Sequence, residues 1–286
     1  MGIGSKTCYN CSSTKKKLIH KGVRDNANID VYVCKNCGLV FLSSDEHISN
    51  EFYENGNMVN DVDLNSWINS TKDDDLRRFK ALKKKIKNKV LCDFGCGNAG
   101  FLNLAKSYCK NFYGVELQQT FYDYFKSCEL NIYPSIDNLP EKADVITLFH
   151  VLEHLKDPVS ELKKISSYLA KDGELVIEVP NADDILLKLY KSKSFADFTY
   201  WSCHLFLYNK KNLVELVKKS GLKIKKIRHI QRYGFVNHLY WLIKNKPAGH
   251  KRWAKFDFKL INLVYAFVLS LFSMTDTIEI TVEKIN

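Results

Sequence analysis

A glycine-rich turn in the middle of the chain has the residue types of a nucleotide-binding site. Residues 90–94 form a short, mostly apolar run with a strand pattern, Gly95 and Gly97 follow it, and a helical pattern begins at Gly100. Glycine adopts backbone angles closed to other residues, so such a turn lets a ligand approach the main chain while the next helix points its N–H groups at it. Glu116 closes the next strand-like run, at about the distance where a doubly wound fold places the acid that binds a ribose diol.

A second segment has residues that could move a proton. The run 149–158 places His150 at the end of a strand pattern, with Glu153 and His154 in the following turn. An imidazole titrates near neutral pH and can therefore accept a proton from an acceptor hydroxyl. His204 lies further along the chain and is a candidate for the same role. Alternatively, Glu153 and His154 pair to shape the loop, or they bind a metal ion.

The Asp93-x-Gly95-x-Gly97 turn, Glu116 and the segment 149–158 resemble class I S-adenosylmethionine-dependent methyltransferases. The resemblance covers about residues 88–232 and is closest to members that carry an N-terminal zinc ribbon and often act on sugars. Ala99 departs from the family pattern, which usually has a third glycine there.

The resemblance implies a role for specific residues of this chain. The implied contacts to S-adenosylmethionine are Asp93, Gly95, Cys96, Gly97, Glu116, Asp137 and His150, with Asp137 or Asn138 beside the adenine. The implied catalytic candidates are His150, Glu153, His154 and His204. Some quinone-biosynthesis methyltransferases bind Mg²⁺ through the segment that corresponds to 149–158, but His150 stands here where they have an acid, so the match is partial.

Two other classes of protein remain open on these residues. A nicotinamide-binding domain uses the pattern G-x-G-x-x-G, which Gly95, Gly97 and Gly100 satisfy. Asp93 and the segment 149–158 favour the methyltransferase. A non-catalytic protein that keeps the fold and binds the cofactor would be consistent with Ala99 and with the partial metal motif.

Four of the nine cysteines have the spacing of metal ligands. Cys8-x-x-Cys11 and Cys34-x-x-Cys37 are separated by 22 residues, close to the spacing of a four-cysteine zinc site. Four thiolates fill a tetrahedral Zn²⁺ and leave no position for water, so such a site holds structure and performs no chemistry. We therefore predict a structural zinc ribbon over residues 1–45. The sequence has no pattern of a secretory leader, and unpaired thiols suit a reducing compartment, so we expect the protein to be cytoplasmic.

The elements that must position these residues alternate between strand and helix patterns. Strands are expected at 90–94, 112–116, near 132, and at 145–149, 175–179, 222–230 and 277–282. Helices are expected at 73–87, from 100, and at 118–128, 158–169 and 209–220. This alternation predicts an α/β fold, namely a doubly wound, Rossmann-like, seven-stranded methyltransferase sheet whose last strand is antiparallel to 222–230, as in the resembled fold.

The predicted domains follow from these elements. Residues 46–88 form a linker and a lead-in helix with Lys and Arg on its non-apolar faces, and 89–286 form the cofactor-binding domain. The lysines between Lys80 and Lys89 are expected to form a solvated face, with a phosphate-binding patch as the alternative. Residues 171–173 are expected to be a turn, and 233–276 a helical insertion before the last strand.

The positive charge is concentrated near the C-terminal end. Between Lys218 and Lys259 there are 13 Lys and Arg against one acid, Asp257, a local charge of +12 beside a net charge of +11 for the whole chain. Aromatic residues are interleaved with these cations. Such a segment suits an anionic partner: a nucleotide-activated sugar, a phosphorylated glycan, nucleic acid or an acidic membrane surface. The apolar run 260–272 is too short to span a bilayer and is expected to be a core helix, an oligomer contact or an interfacial anchor, in that order.

The sequence therefore predicts a methyltransferase that uses S-adenosylmethionine and acts on a small-molecule or glycan acceptor. The expected acceptor is a nucleotide-activated or phosphorylated sugar in surface-polysaccharide biosynthesis. An RNA methyltransferase is the alternative, because a zinc ribbon and a basic surface both suit RNA. The segment after the fourth strand lacks the Asn/Asp-Pro-Pro-aromatic tetrapeptide that holds a planar amine, which disfavours base N-methylation.

Overall fold

Two β-sheets and the helices around them make up the computed structural model, which describes residues 7–49, 52 and 63–285. The described residues form eleven strands: β1 (Lys16–His20), β2 (Val31–Cys34), β3 (Val40–Leu42), β4 (Val90–Phe94), β5 (Asn111–Val115), β6 (Ile132–Tyr133), β7 (Ala143–Phe149), β8 (Leu169–Pro180), β9 (Phe206–Leu207), β10 (Leu222–Ile230) and β11 (Thr277–Lys284). They also form ten α-helices: α1 (Leu64–Ile86), α2 (Gly100–Ala105), α3 (Tyr122–Ser127), α4 (Pro158–Ser167), α5 (Ile185–Lys188), α6 (Lys193–Thr199), α7 (Lys210–Lys219), α8 (Phe235–Lys244), α9 (Gly249–Arg252) and α10 (Lys259–Leu271).

The larger sheet has seven strands in the order β10-β11-β8-β7-β4-β5-β6. Strand β11 is antiparallel to β8 and β10, whereas the strands from β8 to β6 pair in parallel. Two separate clusters of buried apolar residues pack on the sheet, one including Leu162 and Leu216 and the other including Leu82 and Phe101. Strands covered on both faces are apolar on both faces, as β7 is. The predicted Rossmann-like sheet, with its antiparallel last strand, is confirmed.

Strand β8 is longer than the sequence pattern indicates. The predicted turn at 171–173 lies inside it, because the pairing with β7 moves from Ala143↔Leu169 to Val145↔Glu174 and residues 170–173 leave the ladder as a bulge. The preceding helix ends at Ser167, before the predicted end at residue 169.

Helix α1 begins at Leu64, well before the predicted start at Asp73, and the Asp63 side chain caps it by accepting a hydrogen bond from Ser66 N. The early turns place Leu64, Trp67 and Ile68 at helical spacing, a short apolar stripe that the prediction did not include. Most of the predicted linker lies outside the described residues, at 50–51 and 53–62.

Two arginines of α1, Arg77 and Arg78, bond a buried acid of the sheet. Glu178 of β8 is fully buried and accepts two hydrogen bonds from the Arg77 guanidinium, both of 2.9 Å, and one from Arg78 Nε of 3.1 Å. Arg77 also bonds Asp74, which in turn accepts from Arg232 beyond the end of β10. Burial alone would raise the pKa of Glu178, but the two guanidinium groups outweigh it and hold the pKa below its usual value.

The N-terminal part of the chain forms a second sheet, in the order β1-β2-β3-β9. Strand β9 comes from the segment between α6 and α7, so the N-terminal strands are joined to the larger part of the molecule by main-chain hydrogen bonds. All nine cysteines lie among the described residues, and none forms a disulfide.

The residues between β10 and β11 form the predicted helical insertion, helices α8, α9 and α10. The first expectation for residues 260–272, a core helix, is wrong: Leu269 is the one residue of α10 that is fully buried, and most of the other apolar side chains are exposed.

We expect Glu178→Gln to lower the free energy of unfolding by about 3 kcal/mol, because it leaves two guanidinium groups without a buried counter-charge. Glu174→Gln on the same strand is the matched control. Glu174 pairs with Lys85 and Lys225 at the partly exposed end of the strand, so its loss should cost at most about 1 kcal/mol. Urea denaturation measures both, and equal effects would show that the buried ion pairs do not stabilise the fold.

Candidate active site

A cavity of about 670 Å³ lies at the carboxyl ends of β4 and β7. The strand ends contribute Asp93, Gly95, Gly97 and His150 to its lining. Helix α1, the segment 195–204 and the insertion contribute further walls. Ligands of open α/β sheets bind outside the carboxyl ends of the strands, and pockets of this size hold small molecules.

The glycine-rich turn adopts backbone angles that glycine favours. Gly95 has φ +71° and Gly97 has φ +56°. A Cβ on Gly95 would meet Val151 Cγ2 at 2.5 Å, and one on Gly97 would lie 3.1 Å from the Trp67 ring. Ala99 also adopts a left-handed angle, φ +58°, with its N–H bonded to Cys96 O, so the turn forms although the third glycine is missing.

Glu116 supports this turn directly. Its Oε2 accepts a hydrogen bond from Gly97 N at 2.8 Å, and its Oε1 accepts one from Gln118 N at 2.9 Å. Burial raises the pKa of Glu116, and these backbone N–H groups oppose that shift. An ionised carboxylate has about four lone-pair sites, so two remain for other donors.

The predicted contacts Asp93 and Cys96 lie in the same turn. Asp93 is buried and accepts a hydrogen bond of 2.6 Å from Thr147 Oγ1, and burial raises its pKa to about 7. Burial also raises the pKa of the Cys96 thiol, which therefore stays neutral. Its backbone N–H bonds Val115 O.

The structure does not bring Asp137 together with these residues. Its carboxylate is exposed and bonds Lys164 Nζ at 2.7 Å and Tyr168 Oη at 2.8 Å. These partners lower its pKa to about 2. Asp137 thus has other bonding partners than an adenine, and its predicted contact with the cofactor gains no support from this geometry.

His150 follows β7 in a left-handed conformation, φ +57°. Its Nδ1 lies 3.2 Å from Glu153 Oε1, and its Nε2 lies 3.3 Å from Arg232 Nη1. Since a guanidinium only donates, Nε2 accepts and Nδ1 carries the proton. Burial, and then the charges of Arg232 and Arg78, lower the pKa of His150 well below its usual value. His150 is therefore a neutral group held between two partners.

His154 and His204 lie side by side in the cavity, with ring centroids 5.1 Å apart. His154 Nδ1 is 2.7 Å from Cys203 O, and His204 Nδ1 is 3.3 Å from Thr199 O. Burial lowers the pKa of His154 to about 4, and burial together with His154 lowers that of His204 to about 3. Both rings are neutral at physiological pH.

Glu153 shares this cluster, because one oxygen of Glu153 and one nitrogen from each of His154 and His204 lie within 4.8 Å of one another. Glu153 is fully buried, burial raises its pKa to about 8, and Oε2 has no hydrogen-bond partner among the described residues. Glu153 Oε1 also lies 3.2 Å from His150 Nδ1, a contact that the sequence did not predict. One carboxylate with two imidazoles is not the oxygen-rich set that Mg²⁺ prefers, so the cluster does not fit that ion.

The four paired cysteines come together as predicted. The sulfur atoms of Cys8 and Cys37 are 3.6 Å apart, and those of Cys11 and Cys34 are 3.5 Å apart. A tetrahedral zinc ion with bonds of 2.3 Å sets its sulfur ligands about 3.8 Å apart. The described geometry therefore fits a four-cysteine zinc site.

Sequence reasoning missed several cavity residues. Arg24, from the loop between β1 and β2, lies with its guanidinium carbon 4.5 Å from the centre of the Trp201 ring. Trp67 comes from the part of α1 that precedes the predicted start at Asp73, and Asp74 comes from the first predicted turn. No motif marks these residues. For Asp74 the sequence does contain a signal of ion pairing, because three consecutive acids at 73–75 precede two arginines in one helix.

The comparisons with known proteins agree with this architecture. A family model described as a methyltransferase domain matches residues 65–227. A tRNA U34 carboxymethyltransferase of Campylobacter fetus is 29% identical over 114 residues, which cover 35% of this chain; the match spans only 40% of that relative's length.

Solved structures extend the likeness at the level of the fold. The N-methyltransferase NodS of Bradyrhizobium japonicum, in complex with S-adenosyl-L-homocysteine, has a TM-score of 0.50 at 10% identity, covering 82% of this chain and 98% of NodS. A chain from the complex between the Haloferax volcanii Trm112 methyltransferase activator and a methyltransferase has a TM-score of 0.53 at 13% identity, covering 83% of this chain and 97% of that one. Because the family model matches more than half of the residues, the chain belongs to the methyltransferase-domain family.

Proposed function

We propose that this protein transfers a methyl group from S-adenosylmethionine to a hydroxyl of an anionic sugar or glycan. The observation that carries the proposal is that one cavity joins the glycine-rich turn to a set of histidines, tryptophans and cations. The bound cofactor would supply an electrophilic methyl group. The remaining chemistry is orientation of the acceptor and removal of its proton.

The cofactor end of the cavity has the residues that such a ligand needs. Gly95 and Gly97 line the cavity. Glu116 is not among the lining residues but is bonded to Gly97 N beside it, and its carboxylate has lone pairs for ribose hydroxyls. Asp93 lies at the base of the turn and lines the cavity.

His204 is the proposed proton acceptor, with His154 next to it. If Thr199 O accepts the Nδ1 proton of His204, the lone pair of the ring is on Nε2. A pKa of about 3 makes this imidazole a weak base. A weak base suffices if the proton leaves as the methyl group arrives, because a hydroxyl oxygen that is being alkylated becomes a strong acid. His150 is less suited, because Arg232 occupies its Nε2.

Cations and aromatic rings favour an anionic sugar as the acceptor. Arg24, stacked on Trp201, and Lys251 both line the cavity. The Trp201 ring lies against the Arg24 guanidinium, and Trp241, packed against Phe195 and Phe198, also lines the cavity. A nucleotide-activated or phosphorylated sugar has both features, and a place in surface-polysaccharide biosynthesis belongs to the same proposal.

Zinc is proposed as a structural ion that stabilises the end of the cavity that contains Arg24 and His204. The N-terminal strands bond the segment 195–204 at several points: His20 bonds Asp197 at 2.8 Å, and Asp25 accepts from Ser202 N at 3.0 Å. Holding the cysteines in place therefore also holds Arg24 and the segment with His204.

RNA is a second candidate acceptor, favoured by the tRNA-modifying relative and by the basic segment 218–259. If RNA is the substrate, the protein should bind generic RNA, and the affinity should fall steeply as the salt concentration rises. A screen of nucleotide-activated sugars with labelled S-adenosylmethionine, beside RNA binding at two salt concentrations, separates the two acceptors. Tight RNA binding without turnover of any sugar nucleotide would contradict the sugar proposal.

We expect Glu116→Gln to weaken S-adenosylmethionine binding by about 1.5–3 kcal/mol, because an amide offers one acceptor oxygen where the carboxylate offers two, and it lacks the charge. Glu141→Gln, at the other end of the sheet beside Tyr113, is the matched control and should bind normally. Calorimetry measures both. Unchanged affinity for Glu116→Gln, or preference for a nicotinamide cofactor, would overturn the cofactor assignment.

We expect one zinc ion per chain in protein purified without chelator, and its loss in Cys34→Ser, because four thiolates are needed to fill the site. Cys109→Ser is the control, since Cys109 lies outside the four-cysteine cluster. Elemental analysis gives the metal content. A zinc-free wild-type protein would refute the site.

We expect His204→Ala to lower kcat about 100-fold with little change in cofactor affinity, which is the size of effect that a general base contributes. His154→Ala should act in the same direction. His229→Ala, on β10, is the control and should keep normal turnover. Steady-state kinetics on the acceptor found in the screen measures these effects, and full activity of His204→Ala would exclude it as the base.

A further inference from the structure

The outer side of the insertion exposes an unusual amount of apolar surface. Within residues 256–272, ten large apolar side chains are exposed: Phe256, Phe258, Leu260, Ile261, Leu263, Val264, Phe267, Val268, Leu271 and Phe272. Leu260 is 72% exposed and Phe267 is 63% exposed. No charged residue interrupts residues 260–275. We call these ten side chains the apolar surface. A surface helix of a globular protein normally has polar residues on this side.

The inner side of α10 fixes the helix in this orientation. Asn262 Oδ1 accepts a hydrogen bond of 2.9 Å from Phe235 N at the start of α8. Tyr265 Oη lies 2.8 Å from His238 Nδ1, and Leu269 is buried with Trp241. The polar atoms of the helix thus face the protein, and the apolar surface is the side left for a partner.

Cations lie next to the apolar surface and are not neutralised. Six exposed or half-exposed cations precede or begin α10, and none of them is in a salt bridge among the described residues: Lys244, Lys246, Lys251, Arg252, Lys255 and Lys259. On β10, by contrast, Lys223, Lys225 and Arg228 pair with acids of neighbouring strands. Most of the cations of the basic segment that form no salt bridge among the described residues thus precede or begin α10.

We propose that this surface docks onto an anionic lipid bilayer. Apolar side chains flanked by lysines and arginines match the boundary between acyl chains and acidic headgroups. Helix α10 has 13 residues and is about 20 Å long, shorter than the hydrocarbon core of a bilayer. No helix in the described parts of the chain has the length and apolarity to span a membrane. The helix therefore lies along the membrane surface.

Two other occupants fit less well. A second copy of the chain would bring two sets of unpaired cations against each other. Nucleic acid would neutralise the cations but would leave aliphatic side chains such as Leu263 and Leu271 in water. A bilayer satisfies both the charge and the apolar area.

Docking would also place the cavity near the headgroups, because His250 and Lys251 of the insertion line it. This consequence rests on the proposed function: it points to an acceptor carried on a lipid. The docking itself does not depend on methyl transfer and is tested without it.

The test is sedimentation of the full chain with phosphatidylcholine vesicles, with and without phosphatidylglycerol. We expect binding to the anionic vesicles and little to the neutral ones. Two triple variants should each reduce the partition coefficient about tenfold or more. The apolar variant is Leu263→Gln/Phe267→Gln/Leu271→Gln, and the charge variant is Arg252→Gln/Lys255→Gln/Lys259→Gln. Two control variants change exposed side chains elsewhere and should bind as the wild type does. The apolar control is Leu18→Gln/Ile19→Gln, and the charge control is Lys87→Gln/Lys89→Gln/Lys171→Gln.

Three outcomes would overturn the proposal. The first is the absence of binding to anionic vesicles by the wild type. The second is that the wild type is a dimer in analytical ultracentrifugation, the apolar variant is a monomer, and vesicle binding is absent. The third is RNA binding that the charge variant abolishes, again without vesicle binding. Circular dichroism of each variant shows whether it has folded, and methyl transfer is measured separately, so failure of the docking and failure of the proposed activity are distinguishable.

Discussion

The buried carboxylate of Glu178 constrains the centre of this protein. It lies in an interior strand of the sheet with no access to solvent, so it must be paired, and Arg77 and Arg78 of α1 provide the counter-charge. Its own main-chain oxygen accepts the N–H of His150. One residue thus links the lead-in helix, the interior strand β8 and the first residue after β7. The charges continue through Asp74 to Arg232, which bonds the His150 ring.

That network explains why the histidines of the cavity are neutral. Three arginines lie close behind the strand ends, and a protonated imidazole beside them would be repelled as well as desolvated. His150 responds with a depressed pKa, and burial acts in the same direction on His154 and His204. The same burial raises the pKa values of Asp93 and Glu153. The cavity therefore carries less charge than its composition suggests, apart from its arginines, Lys251 and Asp74, whose pKa the neighbouring arginines lower.

Three distant parts of the chain build the side of the cavity proposed to bind the acceptor. The N-terminal strands bring Arg24, the segment around β9 brings Trp201 and His204, and the insertion brings Trp241 and Lys251. The pairing of β3 with β9 fixes the first two relative to each other. A metal in the cysteine cluster would thus act on the acceptor pocket through packing, at a distance from the chemistry.

The sequence by itself determined the elements that depend on local physics. The alternation of strands and helices, the glycine-rich turn and the two cysteine pairs are short-range patterns, and the structure forms all of them. Charged residues were harder to place, because a cation on a helix has the same local pattern whether it faces water or a buried acid a hundred residues away. Only the tertiary structure showed that Arg77 and Arg78 turn inward to Glu178, that Glu153 pairs with His150, and that the apolar side of α10 faces outward. Contacts between distant segments decide which buried charges pair and whether an apolar helix face is covered. Such contacts leave no periodic pattern in the sequence.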